Sequence, residues 1–223
     1  MKRYLLLLLL LGILFGVLYG QPNPDRVYLS LFDAHEYTMN MSMSTEANRL
    51  YANVEFSVDS ALLQEAENYC FFLSKKILLE RVKINGKSVP FSYTTGLDAR
   101  HFMPPLEDEM LLSPEAPVFC ISIDKKHVQK EKGEIRVYLE YRSFLPDWNQ
   151  DEQGRKYLLW NTADFIYPRN IRKDTVLNLN FTCTPYYVLV NAESPTYRGG
   201  IRTYKREFRE EAGSGNNIKV FKS

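Results

Sequence analysis

The sequence lacks the local motifs by which many enzymes are recognised. It has no G-x-S-x-G turn, and Gly199-Gly200 has neither the spacing nor the following helix of a phosphate loop. Histidine is scarce, since only His35, His101 and His127 occur and dozens of residues separate them. No two of them have the spacing of a local metal site. We therefore predict no catalytic residue, no metal ligand and no cofactor site.

The string nearest to a catalytic motif is His35-Glu36-Tyr37-Thr38-Met39. Zinc peptidases use H-E-x-x-H because residues four apart share one helical face, so that both histidines reach the metal. Here Met39 occupies the place of the second histidine, and the surrounding residues alternate as in a strand. We therefore interpret this string as a strand without a zinc ligand.

The polar side chains at alternate positions from Asp147 to Gln153 faintly resemble a calcium loop. An EF-hand needs Gly at its sixth position and Glu at its twelfth, where this chain has Glu152 and Leu158. We therefore expect a polar hairpin loop whose side chains bond the local backbone.

Neither sign of charge is in excess, because 28 Lys and Arg residues are interspersed with 27 Asp and Glu residues. The chain has no basic stripe of the kind that marks a nucleic-acid partner, and no acidic tail that indicates disorder. The apolar fraction of 45% and the charged fraction of 25% are typical of globular domains.

The one long hydrophobic run lies at the N-terminus. Lys2 and Arg3 precede an apolar stretch from Leu5 to Leu18. The stretch is shorter than the roughly 20 residues that cross a bilayer, so we predict a signal peptide over residues 1–20. An uncleaved anchor remains the alternative, because Leu18 is an imperfect residue near the cleavage point. We expect an exported protein, periplasmic or secreted, with membrane contact only if the signal stays uncleaved.

Cysteine is sparse, with Cys70, Cys120 and Cys183 each inside an apolar, strand-like run. Buried cysteine behaves as a small hydrophobic residue, which favours three free buried thiols. An exported chain could instead form one disulfide and leave one odd thiol.

Period-two alternation dominates the remaining sequence, as in half-buried strands. The alternating runs are 35–43, 50–58, 119–123, 135–141, 157–160, 176–181, 187–191 and 201–208. Asn85-Gly86 lies between two further runs and predicts a tight hairpin turn. Only 61–68 is predicted to be helical. We therefore predict one all-β domain over residues 21–223, an antiparallel β-sandwich or a curved multi-sheet domain.

Two further features concern the surface of that domain. Asn40-Met41-Ser42 and Asn180-Phe181-Thr182 match the N-glycosylation sequon, a match that often arises by chance. Tyrosines interleaved with cationic residues between positions 197 and 206 could stack on sugars, although strands commonly use such rings for packing. We expect the charged side chains from Arg198 to Glu211 to be exposed.

Several stretches together resemble the N-terminal β-domain of the aminopeptidase N type of zinc metallopeptidases. Val82-Lys83-Ile84-Asn85-Gly86-Lys87-Ser88-Val89-Pro90-Phe91 is similar to the family's V-x-V-N-G-x-x-V-x-F hairpin, and Glu134 to Tyr141 resembles the strand ending in L-x-Y. Phe165-Ile166-Tyr167-Pro168 is similar to the family's aromatic-Pro element. Trp160-Asn161-Thr162-Ala163-Asp164 departs from the family's A-R pattern, so no substrate-binding role is carried over to it.

The resemblance implies a non-catalytic domain, because the family's G-x-M-E-N loop and H-E-x-x-H helix follow this domain and neither motif occurs here. Three hypotheses follow for the function. The first is an exported domain that binds or scaffolds a protein or peptide. The second is part of a split or truncated aminopeptidase that needs a separate catalytic chain. The third is a carbohydrate-binding module that uses the tyrosine-rich strands.

Overall fold

The computed structural model describes residues 29–63, 66–102, 104–106, 111–128, 133–212 and 214–223. The predicted signal peptide and residues 21–28 of the predicted domain lie outside this part of the chain. The described residues form strands, joined by loops and by short 3-10 turns at Ser60–Leu62, Ala99–His101, Lys125–His127 and Thr162–Asp164. Within these ranges, no helix has the length and apolar content needed to cross a membrane. The predicted all-β class is confirmed.

In chain order the strands are β1 (Leu29–Leu31), β2 (Glu36–Ser44), β3 (Arg49–Asp59), β4 (Asn68–Ser74), β5 (Ile77–Ile84), β6 (Lys87–Val89), β7 (Ser92–Thr94), β8 (Val118–Asp124), β9 (Glu134–Phe144), β10 (Asn149–Gln150), β11 (Lys156–Asn161), β12 (Thr175–Cys183), β13 (Tyr187–Leu189), β14 (Thr196–Arg198), β15 (Ile201–Glu210) and β16 (Asn217–Lys222).

These strands build one large sheet and two small ones. The large sheet has the order β14-β15-β12-β2-β3-β9-β5-β6, and the small sheets have the orders β1-β4-β8-β7 and β10-β11-β16-β13. Most neighbours are antiparallel, but β12 pairs with β2 in parallel and β1 pairs with β4 in parallel. The architecture is therefore the predicted multi-sheet domain, with two parallel pairings that local patterns did not indicate.

Alternation along each strand decides which face of the large sheet is buried. In β2, Tyr37, Met39 and Met41 are at most 1% exposed, whereas the intervening Glu36 and Asn40 are exposed. Successive strand residues point to opposite faces, so the apolar set defines an inner face and the polar set an outer face. Burying each large apolar side chain stabilises the fold by about 1.5–3 kcal/mol.

Both small sheets contribute to the core on the inner face. One hydrophobic cluster joins Met39 of the large sheet, Phe71 of β4 and Val220 of β16. A second cluster lies on the other face of the β4–β8 pair, where Phe72 and Cys120 pack with Phe102 and Leu112. The β4 strand is therefore buried on both faces, which explains its continuous apolar run.

The predicted Asn85-Gly86 hairpin is confirmed as the turn between β5 and β6. Asn85 has φ 47° and Gly86 has φ 79°, the positive angles that a tight primed turn requires. The Asn85 side chain accepts a hydrogen bond from the backbone N–H of Arg136 at 2.8 Å. This bond ties the turn to β9, so the local turn signal agrees with the sheet order.

The predicted helix over residues 61–68 is wrong. Among the described residues of this stretch, a single 3-10 turn covers Ser60–Leu62 and β4 begins at Asn68. Asp59 caps the turn by accepting a hydrogen bond from the backbone N–H of Ala61 at 2.9 Å. Tertiary pairing of Asn68 with Asp124 on β8 overrides the weak local helix preference.

Candidate functional site

The strand interpretation of the string from His35 to Met39 is confirmed. Glu36 opens β2, and its carboxylate accepts a hydrogen bond from the side-chain amide of Asn178 at 2.7 Å. Met39 is fully buried in the core. Within the described ranges, no three His, Cys, Asp or Glu side chains converge in a way that could hold a metal ion.

The stretch from Asp147 to Gln153 forms a polar hairpin loop, as predicted. The Asp151 carboxylate accepts hydrogen bonds from the backbone N–H groups of Gln153 at 3.1 Å and Arg155 at 2.8 Å. It also pairs with the Arg155 guanidinium at 2.8 Å. These contacts lower the pKa of Asp151, although its partial burial opposes them. The oxygens are therefore engaged by the local chain.

The outer face of the large sheet is the first candidate surface. A groove of about 840 Å³ crosses it, bounded by β2, β3, β9 and the turn after β5. The ionic side chains that line the groove are Glu36, Glu55, Glu134, Lys83 and Arg136. The groove is thus polar and close to charge balance.

Three asparagines form a hydrogen-bonded ladder across this outer face. The Asn180 amide on β12 donates to the Asn40 side-chain oxygen on β2 at 2.9 Å. The Asn40 amide in turn donates to the Asn53 oxygen on β3 at 2.8 Å. The three residues are paired in register, Asn180 with Asn40 and Asn40 with Asn53. Both predicted glycosylation sequons therefore place their asparagines in this ladder.

A small depression of about 180 Å³ lies over the ladder. Tyr51 stands at its wall with 43% of its surface exposed, and Tyr138 lines both the depression and the larger groove. Burial raises the pKa of the Tyr138 phenol, and the nearby carboxylates of Glu140 and Glu55 raise it further. Tyr138 therefore remains a neutral hydroxyl at physiological pH.

A second candidate surface, which we call the aromatic end, surrounds β13 and consists of Trp148, Tyr186, Val188 and Tyr197. Their exposed fractions are 40%, 69%, 37% and 63%. The Trp148 ring stacks on Tyr187 with centroids 6.1 Å apart, and the Arg202 guanidinium lies 5.3 Å from the Tyr197 ring. Exposed apolar side chains that cluster on a surface mark interaction sites.

Side chains from the large sheet connect to the backbone of β13. The Tyr187 carbonyl accepts hydrogen bonds from the Tyr204 hydroxyl at 3.2 Å and from Arg202 Nη1 at 3.5 Å. The Val190 carbonyl accepts one from Arg206 Nη1 at 2.8 Å. These two carbonyl groups are therefore already hydrogen-bonded within the domain.

The aromatic-Pro segment is buried between the sheets. The Tyr167 hydroxyl donates to the Glu210 carboxylate at 2.8 Å, and Arg169 Nη1 lies 3.6 Å from the same carboxylate. Phe165 has φ 54°, a left-handed conformation that is rare for a bulky residue, and it packs in the second hydrophobic cluster. The tertiary packing therefore holds a strained backbone here.

The expectation that the charged side chains from Arg198 to Glu211 are all exposed is wrong in part. Glu210 is 2% exposed, and Arg202 and Arg206 are half-buried. The inner face of β15 carries these side chains, and they bond β13 and the aromatic-Pro segment across the core. The sequence alone could not predict the burial of these charged side chains, because their hydrogen-bonding and ionic partners come from other segments of the folded chain.

The sequence pattern did not predict the asparagine ladder, and of the aromatic end it drew attention only to Tyr197, in the tyrosine-rich stretch from 197 to 206. The ladder joins residues 140 positions apart through the parallel β12–β2 pair. The two sequons were a signal that could have drawn attention to Asn40 and Asn180. The exposure of Tyr186 and Tyr197 could not be read from strand alternation, because Tyr186 precedes the three-residue strand β13 and Tyr197 lies in the equally short β14.

No protein-family model matches the chain, and no curated protein matches it in sequence. Solved structures do match in fold. Native leukotriene A4 hydrolase from yeast matches with a TM-score of 0.58 at 13% identity, over 85% of this chain and 28% of that chain. The M1 zinc metallopeptidase from Deinococcus radiodurans matches with a TM-score of 0.55 at 14% identity, over 85% of this chain and 42% of that chain.

A further structure, yeast LTA4 hydrolase in complex with bestatin, matches with a TM-score of 0.54 at 12% identity, over 92% of this chain and 32% of that chain. The chain thus spans less than half the length of each of these peptidases. At such low identity the likeness shows the fold alone. It fits an N-terminal-domain-like fragment of M1 zinc metallopeptidases, as the resemblance in sequence predicted.

Proposed function

We propose that this chain is a non-catalytic, exported β-domain that binds or scaffolds a protein or peptide partner. The aromatic end supports this proposal, because Trp148, Tyr186 and Tyr197 are exposed around one short edge strand. Trp, Tyr and Arg are the residues that most often dominate the binding energy of protein interfaces. Arg202 lies beside Tyr197 and adds a cationic group to the same surface.

The arrangement of the aromatic end suits a preorganised interface. Stacking of Trp148 on Tyr187 and the hydrogen bonds from Arg202 and Tyr204 hold these side chains before any partner arrives. Rings that are already ordered lose less conformational entropy on binding. We therefore expect a partner to contact Trp148, which the stacking holds, and Tyr197, which lies beside Arg202, while β13 itself stays paired with β16.

The comparisons favour a second candidate function. The matching solved structures are peptidases of which this fold covers 28% to 42%. In the second candidate, the chain is one part of a split or truncated zinc aminopeptidase, and its partner is a separate catalytic chain. The same aromatic end would then contact that chain, so the identity of the partner separates the two candidates.

Site-specific photocrosslinking in the native host tests the proposal. A photoreactive phenylalanine analogue replaces Tyr197 in one variant and Phe144 in the matched control, because both positions are 63% exposed. Phe144 lies at the end of β9, four strands away from β15 in the large sheet. We expect the Tyr197 position to crosslink to a discrete protein and the Phe144 position to give none.

The identity of the crosslinked protein distinguishes the two candidate functions. A non-peptidase protein or peptide supports the first candidate, and a chain with an H-E-x-x-H motif supports the second. Equal crosslinking at the two positions, or none at Tyr197, would contradict the proposal that the aromatic end is an interface.

A further inference from the structure

We propose that the outer face of the large sheet binds a neutral oligosaccharide, in the depression between Tyr51 and the asparagine ladder. This site is separate from the aromatic end, which lies around β13 and the start of β15. Four features of this face support oligosaccharide binding. They are the hydrogen-bonding capacity of the ladder, the balance of charge around the ladder, the exposed ring of Tyr51 and the shape of the face.

The ladder has hydrogen-bonding capacity left over for a ligand. A side-chain amide carries two N–H donors and an oxygen with two lone pairs. Asn40 donates once to Asn53 and accepts once from Asn180, which leaves it one donor and one lone pair. Sugar hydroxyls both donate and accept, so a row of amides with unused donors and acceptors matches a polyhydroxylated ligand.

Charge balance at the depression favours a neutral ligand. Arg81 pairs with Glu140 at 3.2 Å, and Arg142 pairs with Glu80 at 2.9 Å. These two ion pairs lie on one side of the ladder. Each pair joins one positive and one negative side chain, so each is neutral overall. Beyond these pairs, exposed Lys205 is in register with Asn180, and exposed Glu55 lies two residues from Asn53. One charge of each sign therefore flanks the ladder, and its surroundings stay close to neutral.

Tyr51 supplies the apolar contact that an oligosaccharide needs. The residue is 43% exposed, and it neighbours Asn53 on the same outer face of β3. The C–H faces of a sugar ring are apolar and pack on flat aromatic surfaces, while the hydroxyls reach the surrounding polar groups. Tyr138 stands on the adjacent strand β9, and the Lys83 ammonium lies 4.8 Å from its ring centroid.

The shape of the face suits a chain of sugars. The depression of about 180 Å³ is small compared with ordinary ligand pockets, so it would hold one ring. Tyr138 forms a wall common to the depression and the groove of about 840 Å³. An oligosaccharide that begins over the ladder can therefore continue into the groove across β2, β3 and β9.

A protein occupant fits this face less well. The centres of protein interfaces are enriched in aromatic residues, Met and Arg and are depleted of Glu and Ser. Tyr51 and Tyr138 line the depression, but they share its wall with the polar side chains of Ser42, Glu80, Glu140 and Thr182. The occupant that we propose is therefore an oligosaccharide and not a second copy of the chain.

Affinity electrophoresis of the full chain tests the proposal. The probes are soluble neutral polysaccharides (hydroxyethylcellulose, starch, laminarin and glycol chitin), with polygalacturonate as an acidic comparison. We expect at least one neutral probe to retard the chain. The Tyr51→Ala and Asn53→Ala variants should raise the Kd by about tenfold or more, because each removes a contact to the ligand.

Tyr93→Ala is the matched control, since it removes a tyrosine of similar exposure (42%) on β7 of a small sheet, away from both candidate surfaces, and should leave the Kd within about twofold. Tyr51→Trp should retain binding, because it keeps a flat ring. If Asn53→Ala does not fold, the comparison of the Kd values of Tyr51→Ala and Tyr51→Trp tests the proposal instead. The proposal is overturned if no neutral probe retards the chain, if only polygalacturonate does, or if Tyr51→Ala binds like the parent. It is also overturned if Tyr51→Ala abolishes self-association in light scattering, since the occupant is then a second copy.

Discussion

Arg169 Nη1 lies 3.6 Å from the Glu210 carboxylate in an ion pair whose two side chains are 3% and 0% exposed. The Tyr167 hydroxyl donates to the same carboxylate at 2.8 Å. The pair joins the aromatic-Pro segment to the end of β15, so it connects two parts of the chain that are distant in sequence. A buried pair is costly to break, because the remaining charge stays out of water.

We therefore predict that Arg169→Met lowers the free energy of unfolding by about 3–5 kcal/mol. The matched control is Arg209→Met, which removes an ion pair with Glu207 in which both side chains are well exposed. That change should cost less than about 1 kcal/mol. Urea denaturation of both variants measures the difference, and equal midpoints would show that the buried pair is not a stabilising contact.

The second prediction concerns the turn between β5 and β6. Gly86 has φ 79° and nothing within 4 Å of a Cβ placed there, so conformation limits substitution and space does not. Gly86→Val should destabilise the domain by about 1 kcal/mol or more, because a β-branched residue resists positive φ. Gly86→Asn should cost less, because asparagine tolerates this region. Equal denaturation midpoints for the parent and the Val variant would show that the turn does not depend on glycine.

The third prediction concerns the cysteines, which are all buried and unpaired in the structure. Burial raises the pKa of Cys70, and a hydrogen bond with Cys120 raises it further. Burial also raises the pKa of Cys183 to about 11. A raised pKa keeps a thiol protonated, so at pH 8 the native thiols should react far more slowly than free cysteine.

Titration with a thiol reagent measures both the number of free thiols and the rate at which they react. Three groups should react after denaturation in guanidinium chloride, and almost none should react rapidly in the native chain. One reactive group after denaturation without a reductant would instead establish a disulfide in the protein isolated from its native host.

The fourth prediction is that the purified chain binds no stoichiometric zinc and hydrolyses no aminoacyl reporter. Met39 is buried where a second zinc ligand would stand, and the Glu36 carboxylate is bonded to Asn178. Elemental analysis and a fluorogenic aminopeptidase assay provide the measurements. Zinc at one equivalent, together with hydrolysis that Glu36→Gln removes, would contradict the non-catalytic assignment.

Local features of the sequence predicted local features of the fold. Asn85-Gly86 predicted its hairpin, because the turn needs only two residues with positive φ. Alternation predicted β2, β3, β9 and β15, since one buried face is enough to impose period two. The helix prediction over 61–68 is wrong because helix preference is weak over two turns, and a 3-10 turn covers Ser60–Leu62.

The candidate surfaces could not be predicted, because they depend on which strands are neighbours. Alternation assigns Asn40 and Asn180 to outward positions but does not say that β2 and β12 pair in parallel. The burial of Glu210 likewise depends on Arg169 and Tyr167, which reach it from another segment. Partners of this kind appear only once the tertiary fold is known.

The central claim is that residues 21–223 form a domain that folds without a peptidase domain and presents a binding surface. Equilibrium urea unfolding of this domain, expressed alone, tests the claim most directly. Trp160 is 7% exposed in the core, so its fluorescence reports on packing, while circular dichroism reports on the strands. We predict a single cooperative transition with coincident midpoints for the two probes. Aggregation of the domain alone, together with a cooperative transition only after co-expression with a neighbouring peptidase chain, would contradict the claim and support the split enzyme.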